Sequence, residues 1–344
     1  MVGRYGWIGV DLFFVLSGFL VSGLLFKEYQ RTGSMRPWRF LMRRGFKIYP
    51  QFYLLLVVVF LTRFSNGNQG SMWADALFVQ NYARHAEILT HTWSLAVEEH
   101  FYLLLTLALF SMMRRSKSGF DNLPWWILGA SLLILSMRVV TSVVDPLTST
   151  MSVAEMFANF ERHTFSTHLR LDSLLMGVLL SYYRCFQPER LRKFARRFGS
   201  YFPMVSILLL TPVLIYPQSS PLIETVGFSM IAISFALLII SALYPVRPQN
   251  QDGLGFRSMA WLGRISYGFY LWHYPVILVA TRYVGVHPLV LMLDVNTILL
   301  PTFVITLALA YLTTRFVEMP FLNLRDRLSA SRNTSLVIDY RPVV

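Results

Sequence analysis

Long apolar runs constrain this chain before anything else does. Stretches at about 8–26, 50–64, 93–113, 125–143, 169–184, 202–217, 222–244, 261–281 and 296–316 carry few charges. A helix needs roughly 17–25 such residues to cross a bilayer. A segment facing lipid must satisfy its own backbone hydrogen bonds, so helices are the default. The second, fifth and sixth runs are short for a full crossing. Of 344 residues, 55% are hydrophobic and 14% charged, against roughly 25% charged in soluble domains. So few charges could not cover a soluble core of this size. The expected fold is all-α, a polytopic transmembrane bundle of about nine helices. Residues 1–328 read as one membrane-embedded domain and 329–344 as a disordered cytoplasmic tail.

The net charge of +13 would suggest nucleic acid in a soluble protein. Here the base-reading motifs are absent and the cations sit in short loops, so no nucleic-acid partner is expected. Between the first two runs lie Lys27, Arg31, Arg36, Arg39, Arg43, Arg44 and Lys47 against Glu28 alone. The stretch 185–201 carries Arg190, Arg192, Lys193, Arg196 and Arg197 against Glu189. Between these, 65–92 and 144–168 are net acidic, while 114–124 carries Arg114, Arg115 and Lys117 against Asp121, and the alternation holds to the basic C-terminal tail. Basic loops face the cytoplasm, which puts the C-terminus inside. Nine crossings then put the N-terminus outside, although only six residues precede Trp7 and no cleavable signal is visible. An even count would place both ends inside, so the charge pattern suggests a helix missing from the front. The single cysteine, Cys185, allows no intrachain disulfide and no zinc site built on several cysteines.

Several polar residues interrupt the apolar runs. Asp11 lies early in the first, where a carboxylate at mid-membrane costs about 2.5–3.5 kcal/mol. It should face the bundle or the outer interface, as a structural ion pair or as part of a site. Gly18 and Ser22 share its side of the helix and favour close packing. Arg43, Arg44 and Lys47 form a basic patch before Tyr49-Pro50. Arg44 and Lys47, at i and i+3, share a helical face. Such a patch can bind phosphate or anchor the chain on anionic lipid. In the third run, Ser94, Glu98 and Tyr102 form one stripe at i, i+4 and i+8, and Glu99 and His100 follow Glu98. Ionisable groups inside membranes are functional candidates, and a partly buried glutamate suits acid–base work. Arg138 in the fourth run is one available structural partner. Arg170 and Asp172 are i and i+2, so each should pair with another helix. Ser266, Tyr270 and His273 form a further stripe, and Pro275 should kink or end that helix. Histidines lack metal-ligand spacing, and no metal site is expected. Neither a P-loop nor a Gly-x-Ser-x-Gly elbow is present.

Taken in order, these pieces resemble the acyltransferase-3 family of integral membrane O-acyltransferases. The matching stretches are Gly9-Val10-Asp11-Leu12-Phe13-Phe14-Val15-Leu16-Ser17-Gly18-Phe19, Arg43-Arg44 through Tyr49-Pro50, and Trp93-Ser94-Leu95 with Glu98-Glu99 and Phe101-Tyr102. Arg170-Leu171-Asp172, then Ser266-Tyr267 with Tyr270-Leu271-Trp272-His273 and Pro275, and finally Glu318 with Pro320 complete the set.

The resemblance implies about ten membrane helices in a bacterial inner membrane. It implies an acyl-CoA donor, commonly acetyl-CoA, and an acceptor hydroxyl on a carbohydrate or lipid-linked sugar of an exported polysaccharide. Arg44 and Lys47, with Arg43, match the donor-binding pair, with Lys in place of the second Arg. Glu98 and Glu99 match the glutamate motif. The family's essential histidine lies on a first helix that this chain, as written, is expected to lack. Two other function classes fit the physics. A polysaccharide transporter would show an inverted repeat with broken helices, which we do not find. A truncated, inactive relative would only bind partners or lipid.

Overall fold

The computed structural model describes residues 5–62, 72–83, 87–115, 120–146, 152–245, 253–286 and 295–330. Among them no strand occurs. The helices are α1 (Ile8–Thr32), α2 (Pro37–Thr62), α3 (Met72–Ala76), α4 (Trp93–Arg115), α5 (Leu123–Val144), α6 (Val153–Phe165) and α7 (Leu171–Phe186). They continue with α8 (Pro188–Phe198), α9 (Phe202–Ile215), α10 (Phe228–Leu243), α11 (Leu254–Val286), α12 (Val295–Thr313) and α13 (Met319–Ala330).

Each of the nine apolar runs falls on a helix. Among the described residues, 7 helical stretches are long and apolar enough to cross a membrane. The runs at 169–184 and 261–281 are not among them. The first is on α7, only 16 residues long and opened by a charged pair. The second is on α11, which carries Arg257 and Arg264 along its 33 residues. The tail expected at 329–344 lies, from residue 331 on, outside the described residues.

The region read from sequence as one embedded domain consists of two compact units. The first comprises Met1–Pro37, Phe78–Arg84 and Trp93–Gln249. Its centre is the pair α1 and α7, which run side by side in the same direction: Asp11 meets Arg170 and Ser173, and Gln30 meets the Cys185 carbonyl. The two helices approach backbone to backbone. A Cβ on Gly18 would lie 2.0 Å from the Leu174 carbonyl oxygen, and one on Gly177 2.1 Å from that of Val15. No residue but glycine fits either place. Around this pair stand α5, α10 and α4. The helices α9 and α10 are joined by a reciprocal clasp, Ser206 Oγ on the Ser234 carbonyl and Ser234 Oγ on that of Ser206, both 3.1 Å. Side chains on the outer faces of α5 and α9 are apolar and exposed, among them Leu132, Val140, Ile207 and Leu208. Lipid is the solvent such faces suit.

Two stretches read from sequence as loops are amphipathic helices. The helix α6 starts at a complete capping box, with Ser152 Oγ accepting from the Glu155 N–H and Glu155 accepting from the Ser152 N–H. The helix α8 buries Leu191 and Ala195 and exposes its cations.

The second unit comprises Trp38–Leu77, His85–Thr92 and Asn250–Val344. Here α11 packs along α12, and a 3-10 turn at Glu87–Thr92 rests against α11. A π-helical turn at Thr314–Glu318 carries α12 into α13. The Tyr267 hydroxyl donates to the Ile48 carbonyl at 2.7 Å, fastening α11 to α2.

Candidate active site

In the first unit the charges inside the bundle are paired helix to helix. Arg170 Nη2 reaches both oxygens of Asp11 at 2.9 Å, and Ser173 Oγ adds a third bond at 3.0 Å. The guanidinium lies 3.5 Å from the centroid of the Phe228 ring, a cation–π contact suited to a site without water. Asp172 turns the other way. It takes Arg138 Nη2 at 2.6 Å and Ser229 Oγ at 2.8 Å. All four charged side chains are at most 4% exposed. Arg170 and Asp172 therefore hold other helices, as their i, i+2 spacing requires. Arg138 serves Asp172, and Asp11 is a structural partner of Arg170.

The helix α4 enters this unit at Trp93, whose ring stacks on Phe165 at 4.9 Å. Its stripe of Ser94, Glu98 and Tyr102 is buried along its length, at 1%, 1% and 3% exposure. Tyr102 and Ser17 of α1 share a 2.8 Å hydrogen bond. Glu99 and His100, one step round the helix, are half-buried. His100 Nδ1 lies 2.9 Å from Thr167 Oγ1, and Tyr82 stacks on His168 with its hydroxyl 3.0 Å from Nδ1. Burial holds His168 below the ordinary histidine pKa. A further buried pair, His163 Nδ1 with Glu224 Oε2 at 3.0 Å, joins α6 to the turn before α10. Glu224 opens an apolar run and His163 follows the Ser152 cap, and those were its only signals in sequence.

The second unit holds the basic patch and the aromatic stripe. Arg43 and Arg44 are half-buried near the start of α2 and Lys47 is exposed. Arg44 stands 5.7 Å from the Phe40 ring centroid. One turn on, Gln51 Nε2 donates to Glu318 Oε2 at 2.6 Å, and Thr313 Oγ1 donates to Gln51 Oε1 at 3.2 Å. Lys47 is within electrostatic reach of Glu318. The Glu318 end of the motif is thus tied to the helix that bears the patch.

In the stripe on α11, Ser266 points outward, bonded to its own helix at Gly263. Tyr270 donates its hydroxyl to the His91 carbonyl, and His273 Nδ1 lies 2.5 Å from the Tyr270 carbonyl. The helix runs through Pro275, which has no N–H to offer the Leu271 carbonyl four residues back. His91 Nε2 fills that vacancy at 3.1 Å. A carbonyl can only accept, so Nε2 carries the proton. His91 Nδ1 is buried without a hydrogen-bond partner among the described residues, and the ring stacks on Tyr274 at 5.2 Å. Sequence reasoning placed Pro275 at a kink without connecting it to His91. Among the described residues no group of three or more metal-ligating side chains could hold a metal ion.

A family profile described as an acyltransferase domain matches residues 6–315. The chain belongs to the acyltransferase-3 family. Proteins similar to it include the O-acetyltransferase OatA of Staphylococcus aureus strain NCTC 8325, 29% identical over 339 residues. A putative O-acetyltransferase of S. aureus strain COL is 29% identical over 347 residues. Each alignment covers 92% of this chain and 52% of the relative, so the chain spans about half the length of these relatives. No solved structure matches it.

Proposed function

We propose that this chain is a membrane-embedded O-acyltransferase that moves an acetyl group from acetyl-CoA to a hydroxyl of a carbohydrate. The observation that carries the reading is Glu98. This carboxylate is 1% exposed on an apolar helix, within the stretch the acyltransferase profile matches. The acetyl group and the oxygen acceptor come from the names of the relatives. The family resemblance supplies CoA and an exported polysaccharide or its lipid-linked precursor. In this reading the protein resides in a bacterial inner membrane, as the resemblance suggests, with the C-terminus cytoplasmic, as the basic loops suggest.

In this reading Arg43, Arg44 and Lys47 hold the phosphates of CoA, Arg through its planar fork and Lys as a point charge. The acceptor oxygen attacks the thioester carbonyl carbon, and the C–S bond breaks. Glu98 or Glu99 supports transfer of the acceptor's hydroxyl proton, which ends on the departing thiolate. General acid–base assistance of this kind is worth about 10²–10⁴ in rate.

The test is acetyl transfer from labelled acetyl-CoA by the protein in proteoliposomes, with Glu98→Gln and Glu99→Gln. At least one should lower transfer by about 100-fold or more while the protein stays monodisperse. Full activity in both removes the glutamates from the mechanism.

A further inference from the structure

Within the first unit α7, α8 and α10 line a half-open cavity of about 360 Å³, within the roughly 300–1,000 Å³ of small-molecule sites. From α7 come Met176, Leu179 and Tyr183, at the i, i+3 and i+7 positions of one helical face. Ala236 and Ile240 of α10, one turn apart, form the opposite wall. Phe194 of α8 closes the third side, and the one charged side chain at the cavity is Arg190.

The helix α8 is built asymmetrically around this opening. At 100° per residue, Leu191, Phe194, Ala195 and Phe198 make its apolar face. Arg190, Lys193 and Arg197 fall on a single ridge bordering Phe194, and all three are exposed. Arg190 is steadied by one bond, from Nη1 to Gln187 Oε1 at 2.8 Å. The helix is followed, after a short 3-10 turn at Gly199–Tyr201, by the lipid-facing α9. A basic amphipathic helix joined to an apolar span is suited to lie at the headgroup level of a bilayer.

We infer that this cavity is a binding site for one anionic phospholipid, with an acyl chain between α7 and α10 and the headgroup phosphate on the Arg190, Lys193 and Arg197 ridge. The apolar walls give a chain its solvent but do not select a headgroup. The selection comes from three cations beside the mouth, since each basic side chain near an anionic surface is worth about 1 kcal/mol. A zwitterionic lipid fits the cavity equally well and gains little from the ridge. The site is independent of the acyl-transfer reading and would stand if that reading fell.

The experiment is native mass spectrometry of the whole protein taken from nanodiscs of phosphatidylglycerol and phosphatidylethanolamine in equal amounts. One phosphatidylglycerol per chain should survive detergent stripping in preference to phosphatidylethanolamine. Arg190→Gln should lower that preference about fivefold, and the triple change with Lys193→Gln and Arg197→Gln should abolish it. Ala236→Met, which fills the cavity, should lose the retained lipid of either kind. If that variant is not monodisperse, Met176→Trp fills the same space from α7. Equal retention of the two lipids, no retained lipid, or a preference unchanged in the triple variant would each overturn the proposal.

Discussion

A proline and a histidine 184 residues apart by number, Pro275 and His91, settle one hydrogen bond between them. The ring of Pro275 deprives the Leu271 carbonyl of its helical donor, and His91 Nε2 supplies another. His91→Phe keeps the stack on Tyr274 and removes the N–H. It should cost about 1–3 kcal/mol, the price of an unsatisfied buried carbonyl. Pro275→Ala gives the helix its own N–H back, so the double variant should recover most of that loss. Thermal unfolding in detergent measures the cycle, and additive losses would show that the two residues are not coupled. Pro275 was visible in sequence because it interrupts an apolar run, and His91 because it stands just before one. Their partnership was not, since only the folded chain brings the turn at Glu87–Thr92 onto α11. The same holds for Asp11, Arg138, Arg170 and Asp172. Spacing said that Arg170 and Asp172 must look to different helices, and geometry decided which.

At the scale of the element, periodicity and length located the long helices, and the shorter ones escaped. The helices α6 and α8 lie in stretches whose charges read as loops. Yet Ser152 followed by Glu155 is a capping signature, and the apolar residues of α8 recur at helical intervals. Both cues are local and were outweighed by the contrast with the long apolar runs. Close packing of α1 on α7 was legible only from one side, as Gly18 with Ser22, because Gly177 declares its role only when the helices meet. Gly177→Ala should lower stability by about 1–3 kcal/mol or more, the cost of overpacking a tight contact. Gly129 on α5 has no atom within 4 Å of an added Cβ. Gly129→Ala should be neutral or stabilising by up to about 1 kcal/mol. Chemical denaturation of the two variants in the same micelles compares them, and equal losses would refute the close-contact explanation.

For the whole molecule, the distribution of cations makes a prediction about sidedness. Single cysteines at Arg31, Lys193 and Arg327, introduced into a Cys185→Ser background, should react with a membrane-impermeant maleimide only after cells are opened. A cysteine at Gln218, in the short uncharged turn between α9 and α10, should react in intact cells. Labelling of Lys193→Cys from outside would invert the topology derived from the basic loops. The division into two units was not legible at all, because each is assembled from separated stretches of chain and composition does not change between them.

The bond between Asp11 and Arg170 spans 159 residues of sequence, and that distance is also a time. Ribosomes add about 5–20 residues each second, so α1 reaches the membrane on the order of ten seconds before its partner exists. During that interval a carboxylate waits in a helix destined for a dry interior. A nascent chain that stops short of α7 keeps it unanswered, carrying a mark of incompleteness that a membrane protease or insertase can read.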